Sequence, residues 1–339
     1  MDRRTALSWM GFGAGVASWS VAAAGSDPAS EWQGVVLEWP HETPHPVTTA
    51  LGVAPSQLLF ASGGDDHLIH LWQLEPPKVL GRFTGHRDWV RSVLFVDEDR
   101  LVSASNDGTL RLWHRRRDLD RQPGTVLQRA AAPWTALASS PDRKHWAAVS
   151  FSGEVVWFDA QHLRRLGQVE LATNDLRCAA FSPNTKELAV AGRDGRIYRI
   201  DLAGASVVES RNTHHRRRRG LIYLNERRLL SVGDDGILCG FDAGKPEACR
   251  DVPIGRARID CLLRWDDRHV AVGGSDNVIR MIDVERGQVT AQLKGHTGTV
   301  AVLRRIGPRL LSGSYDTSIR LWTPKHAVAR RPAGRWRAR

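Results

Sequence analysis

Two sets of residues have the types needed for nucleophilic hydrolysis: His86, Ser103 and Asp107, and again His296, Ser312 and Asp316. A serine activated by a histidine that a carboxylate orients is the arrangement behind acyl transfer. Its recurrence argues against that use. An active site occurs once, whereas these sets recur with the spacing of a repeat, so both read as structural and no catalytic residue is expected. No phosphate-binding loop, G-x-S-x-G, H-E-x-x-H, zinc-type cysteine spacing or C-x-x-C-H occurs. The sequence therefore points to no cofactor and no metal.

The elements that carry these residues are short strands. Residues 88–113, DWVRSVLFVDEDRLVSASNDGTLRLW, read as three of them, and VLGRF at 79–83 supplies a fourth. Asp107-Gly108 between two apolar runs is a hairpin signal and predicts a type I′ turn, with positive φ at both central residues. Four antiparallel strands with two apolar faces cannot hide both faces alone. Third strands end at Trp72, Trp113, Phe158, Ile200, Phe241, Ile282 and Trp322, at separations of 41, 45, 42, 41, 41 and 40 residues. Six residues before each stands Asp66, Asp107, Ser152, Asp194, Asp235, Asp276 or Asp316. A period of this length with four strands per unit marks a propeller blade.

Seven such units in register resemble the WD40-repeat family over about residues 31–323. The family's Gly-His is present at Gly85-His86 and Gly295-His296, while its Trp-Asp pair is degenerate: Trp113 precedes His114 and Trp322 precedes Thr323. The resemblance implies an all-β, seven-bladed β-propeller of four-stranded antiparallel blades. It implies hydrogen-bonded sets of His86, Ser103, Asp107 and Trp113, and of His296, Ser312, Asp316 and Trp322. A partly buried Asp needs donors, which these side chains supply. Asp66, Asp194, Asp235 and Asp276 take the same structural turn position. A spare strand-like segment, WQGVVLEW at 32–39, precedes the first unit, and no outer strand follows Trp322. The resemblance implies that this N-terminal strand closes the last blade, with residues 35–38 beside residues 317–322, which removes exposed sheet edges.

The first residues have the parts of an export signal: Arg3 and Arg4, a moderately apolar stretch at 5–21, and Ala22-Ala23-Ala24 as a cleavage site. The paired arginines resemble a bacterial twin-arginine signal. The expected layout is a signal peptide at 1–24, cleaved after Ala24, a propeller at 25–323, and a basic, unstructured tail at 324–339. The location is then periplasmic. Four cysteines are too few for a disulfide scaffold. Cys239 and Cys249 lie equally far from Gly244 and are expected to face each other across a hairpin, as a disulfide or as two thiols.

Lys and Arg number 48 against 37 Asp and Glu, a net charge of +11. Such a chain suits an acidic partner or an anionic surface. The innermost-strand entrances are expected at Pro46, Trp89, Trp134, Asp175, Arg217, Arg258 and Thr299. Trp89, Trp134, Arg217, Arg218 and Arg258 there have the composition of an interface hot spot. As a polyanion site the run His214–Arg219 would need aromatic stacking partners nearby, and an exported protein rarely meets nucleic acid, so an acidic protein surface or an anionic headgroup is favoured over nucleic acid. The leading reading is an exported, non-enzymatic scaffold for a protein partner with an acidic surface, accessory to a periplasmic redox system. The alternatives are an enzyme or a cofactor or metal carrier using the central channel, and an envelope protein resting on anionic lipid.

Overall fold

The computed structural model describes residues 32–40, 45–212, 216–242 and 249–325. The expected signal peptide, His214, His215 and the tail beyond Lys325 lie outside them. Among the described residues, 28 strands form seven four-stranded antiparallel sheets. Blades 1 to 6 span residues 48–83, 90–129, 134–170, 176–212, 218–253 and 259–293. Blade 7 takes three strands from residues 300–324 and its outer strand, Trp32–Leu37, from the start of the chain. Val35 lies opposite Leu321 and Leu37 opposite Ile319, so the N-terminal strand closes the ring as expected. The innermost strands of neighbouring blades pack side by side in a closed circle, blade 7 against blade 1 included, around a central channel.

The core lies between blades. Seven apolar clusters each join two neighbours. Ala61 and Leu71 of blade 1 meet Val90, Val93 and Leu101 of blade 2 in one of them. Every second strand, such as Arg100–Ser105 or Arg309–Ser314, is buried at all positions after its first, because adjacent blades cover both its faces. Outer strands such as Arg165–Glu170 have solvent on one side and alternate accordingly.

Two details differ from expectation, and a third is a feature of every blade. The turn between Arg100–Ser105 and Thr109–His114 holds residues 106–108, and Gly108 alone there has positive φ, +75°. A three-residue connection with one left-handed residue replaces the expected type I′ turn. A Cβ at Gly108 would stand 2.6 Å from the Ala130 carbonyl oxygen. The other blades put His67, Gly153, Gly195, Gly236, Asn277 and Thr317 in the same left-handed place. Secondly, Cys239 lies opposite Asp251, and Cys249 opposite Phe241, so the two cysteines do not face each other. Thirdly, every innermost strand is irregular at its second residue: the register shifts between Val90 and Ser92, and at the equivalent place in all other blades. Such a bulge re-aims the side chain at that point.

Candidate functional site

The innermost strands begin at Thr48, Val90, Trp134, Leu176, Arg218, Ile259 and Val300, all of them buried. The residues just before them, at the mouth of the channel, are Val47, Trp89, Pro133, Asp175, Arg217, Arg258 and Thr299. Trp134 is therefore not the counterpart of Trp89. Five residues, 140–144, follow the innermost strand of blade 3, where four, 96–99, follow that of blade 2. Counting back from the third strand slips by one residue, and one residue turns a side chain to the other face. Trp134 and Arg218 are both fully buried. Neither offers its side chain to a partner, which corrects the expectation for those two residues. Pro46 is buried one residue before the mouth position as well.

Trp89, Arg217 and Arg258 do reach the mouth and stay half-buried. The mouth has a second tier. In blades 2, 3, 5, 6 and 7 the carbonyl of the mouth residue accepts from the N–H of the residue after the second strand, as from Asn106 to Trp89 (3.0 Å) and Tyr315 to Thr299 (3.0 Å). That tier brings Phe151 (36% exposed) and Tyr315 (42% exposed) to the surface. The Tyr315 and Trp89 rings lie 6.4 Å apart. Arg91, at the bulge of blade 2, holds its guanidinium 5.0 Å from the Trp89 ring. Arg177, at the bulge of blade 4, stands 6.0 Å from that of Phe151. The sequence reading missed Tyr315, Phe151, Arg91 and Arg177. A usable signal existed for the first two, since each stands immediately before the repeating turn residue.

The arginine run is tied to the fold. Arg217 reaches Asp175 of blade 4 at 2.8 Å, and Arg177 pairs with the same carboxylate. Arg218 pairs with Asp235. Arg219 pairs with Asp234 and, at 3.3 Å, with Asp260 of blade 6, which Arg258 also contacts at 3.0 Å. These pairs link blades 4, 5 and 6.

The turn aspartates share one geometry. One carboxylate oxygen accepts from the backbone N–H two residues on, as at Leu68, Thr109, Arg196, Ile237, Val278 and Ser318, closing the turn locally. The other oxygen takes a partner that varies with the blade: His70 for Asp66, Tyr198 for Asp194, Arg218 for Asp235 and Arg280 for Asp276. For Asp107 it is His86 Nδ1 at 2.8 Å, and for Asp316 it is His296 Nδ1 at 2.8 Å.

In blade 2 the Trp113 indole N–H donates to Ser103 Oγ at 2.8 Å, and Ser103 Oγ lies 2.6 Å from His86 Nε2. Blade 7 repeats this with Trp322, Ser312 and His296 at 2.8 and 2.7 Å. One direction satisfies every group: indole to serine, serine hydroxyl to Nε2, and Nδ1–H to carboxylate. That direction requires a neutral imidazole. Burial lowers the basicity of both histidines, more than the facing carboxylates raise it. Burial would raise Asp107 and Asp316, but hydrogen bonds from His86 and Thr109, and from Ser318 and Thr297, hold both well below the usual carboxylate range. Both hydroxyls are buried beneath the indoles and both imidazoles are sealed in, so no substrate carbonyl reaches the serines. Among the described residues, no three His, Cys, Asp or Glu side chains converge as metal ligands.

A closed ring of seven four-stranded blades, locked by His–Ser–Asp–Trp networks, defines a WD-repeat β-propeller. The chain belongs to the family described as "DDB1- and CUL4-associated factor 12 beta propeller", whose model matches residues 35–249, and its last blade matches "WD domain, G-beta repeat" over residues 287–323. It is 25% identical to the ribosome biogenesis protein YTM1 of Eremothecium gossypii over 294 residues, 81% of this chain and 63% of that protein. It is 22% identical to the apoptotic protease-activating factor 1 of Homo sapiens over 304 residues, 84% of this chain and 22% of that one. It is 30% identical to the pre-mRNA-processing factor 19 homolog 2 of Arabidopsis thaliana over 147 residues, 42% of this chain. The chain spans 28%, 22% and 63% of the lengths of the Arabidopsis, human and Eremothecium proteins. WD-repeat propellers generally serve as scaffolds for protein partners.

Proposed function

We propose that the protein is a non-catalytic scaffold that docks a protein partner with an acidic surface on the mouth of its channel, with Trp89, Arg217 and Arg258 as anchors. One observation carries this reading. Trp89 stays half-exposed at the mouth with Arg91 5.0 Å from its ring and the exposed Tyr315 6.4 Å away. Aromatic and arginine clusters of this kind concentrate interface energy. The blades hold them rigidly, so little ordering is lost on docking. Arg217 and Arg258 already neutralise Asp175 and Asp260, so they set charge complementarity and encounter rate more than raw affinity.

The same reading takes residues 1–24 as a twin-arginine-like export signal and expects the scaffold in the periplasm, accessory to a redox system. Cell fractionation of the full chain against an Arg3→Lys/Arg4→Lys variant tests that part, which fails if both versions partition alike. The docking face is tested by affinity capture with a Trp89→Ala/Tyr315→Ser variant. Both residues lie outside the ion-pair belt, so the fold should survive. Loss of the captured partners at an unchanged melting temperature supports the face, and an unchanged set of partners refutes it.

A further inference from the structure

The innermost strand of blade 7, Val300–Ile306, carries Arg304 at the level where the other blades place Gly52, Leu94, Ala138, Ala180, Ile222 and Leu263. Those six are apolar, and all but Gly52 are half-buried. Leu94, Ala138, Ala180, Ile222 and Leu263 also pack against the clusters between blades, so at this level the seven innermost strands form an apolar ring in which Arg304 is the one charged position.

Arg304 is half-buried and donates to the Leu303 carbonyl at 2.9 Å. Among the described residues no carboxylate pairs with it. Burial depresses its basicity, and the Cys261 thiol lies close enough to act on it. That thiol is itself kept protonated by burial and offers no negative charge. Arg177, Arg217, Arg218 and Arg219, on or beside other innermost strands, all have a carboxylate. Arg91 and Arg305 have none among the described residues, but Arg91 has the Asn106 side chain and the Trp89 ring, and Arg305 is exposed; Arg304 is set among apolar positions. A cation left uncompensated in apolar surroundings is costly, and low-dielectric walls focus its field on the space in front of it.

We infer that the channel holds an anion site with Arg304 as its cation, built for a monocarboxylate whose short apolar body lies along Leu94, Ile222 and Leu263. The guanidinium fork matches a carboxylate. A single cation in an apolar ring suits one negative charge with an apolar body better than a multiply charged phosphate.

Butyrate is the probe, with butanol as its uncharged counterpart, titrated calorimetrically into the purified protein. Wild type should bind butyrate with a Kd on the order of 1 mM or tighter, and butanol no better than about tenfold more weakly. Arg304→Leu and Arg304→Gln should each weaken butyrate at least about tenfold, and the neutral, polar Gln variant carries the test if Leu does not fold. Without ligand, Arg304→Leu should melt at a higher temperature than wild type, because the uncompensated charge is gone. No butyrate binding by wild type, or binding undiminished in both variants, overturns the site. A lower melting temperature for Arg304→Leu overturns the uncompensated charge. Inorganic phosphate binding as tightly as butyrate, and lost in the same variants, overturns the carboxylate assignment.

Discussion

Trp39 donates a 3.0 Å hydrogen bond from its indole N–H to the carbonyl of Thr317. Its ring meets Trp72 edge-on, with centroids 4.7 Å apart, and His70 at 5.0 Å. A residue two places past the closing strand thus clasps the turn of blade 7 while packing on blade 1. Closure of the ring rests on this side chain as well as on the strand pairing of Trp32–Leu37.

Replacing Trp39 should loosen that clasp in two separable parts. Trp39→Ala should lower unfolding free energy by about 3–5 kcal/mol, as for other buried aromatic truncations. Trp39→Phe keeps most of the packing and should cost about 1 kcal/mol for the lost hydrogen bond. Urea unfolding of both variants measures the split, and equal losses would mean that packing contributes nothing.

The two complete His–Ser–Asp–Trp networks should behave as independent fasteners. Asp107→Ala and Asp316→Ala should each cost about 1–3 kcal/mol, because each leaves buried donors unsatisfied. The sites lie in blades 2 and 7 with blade 1 between them, so the double variant should show the sum. A strongly non-additive result would reveal coupling through blade 1.

Acid should destabilise the ring in two stages. Burial holds His86 and His296 below their ordinary 6.5, so the unfolded chain binds more protons than the native one just below that value. Their contribution is complete above about pH 7 and is lost as pH falls through the native values. Asp107 and Asp316, depressed below 3.8, contribute stability that is lost only at lower pH still. A His86→Gln/His296→Gln variant should show a flatter stability profile between about pH 7 and 5 and keep the acid limb. Guanidinium melts at stepped pH give the comparison.

Arg218 should reveal the asymmetry of buried charge. Asp235→Asn strands a fully buried guanidinium and should cost about 3–5 kcal/mol. Arg218→Leu places an apolar residue where other blades have Val90, Leu176, Ile259 and Val300. It should cost far less, provided that Asp235 keeps its turn bond to the Ile237 N–H. Matched thermal melts of the two variants decide it.

Much of the fold was legible in the chain itself. Seven phases of apolar residues and a turn Asp six places before six of the seven third-strand ends specify the blades and their number, while closure by the spare N-terminal strand followed from the resemblance to the WD40-repeat family. The repeated phases are local periodicities, and each weak copy supports the others. The two networks were legible for the same reason, since His86 and His296 stand in one register.

The docking face was legible only in part. Trp89, Arg217 and Arg258 reach the mouth, but Trp134 and Arg218 fall on the buried register. A fifth residue after one strand, and a bulge at the start of every innermost strand, decide which neighbour in sequence faces outward. Neither leaves a clear mark in composition.

What the sequence determined alone is the repeating unit and its count, because short-range pattern dictates strand and turn. What only the tertiary structure decided is the company of each charge. Arg217 and Arg219 meet Asp175 and Asp260 because blades 4, 5 and 6 are brought face to face, while among the described residues Arg304 meets no carboxylate, the other six positions at its level being apolar. Contacts between blades depend on how sheets pack around an axis, and no run of residues along the chain encodes that distance directly.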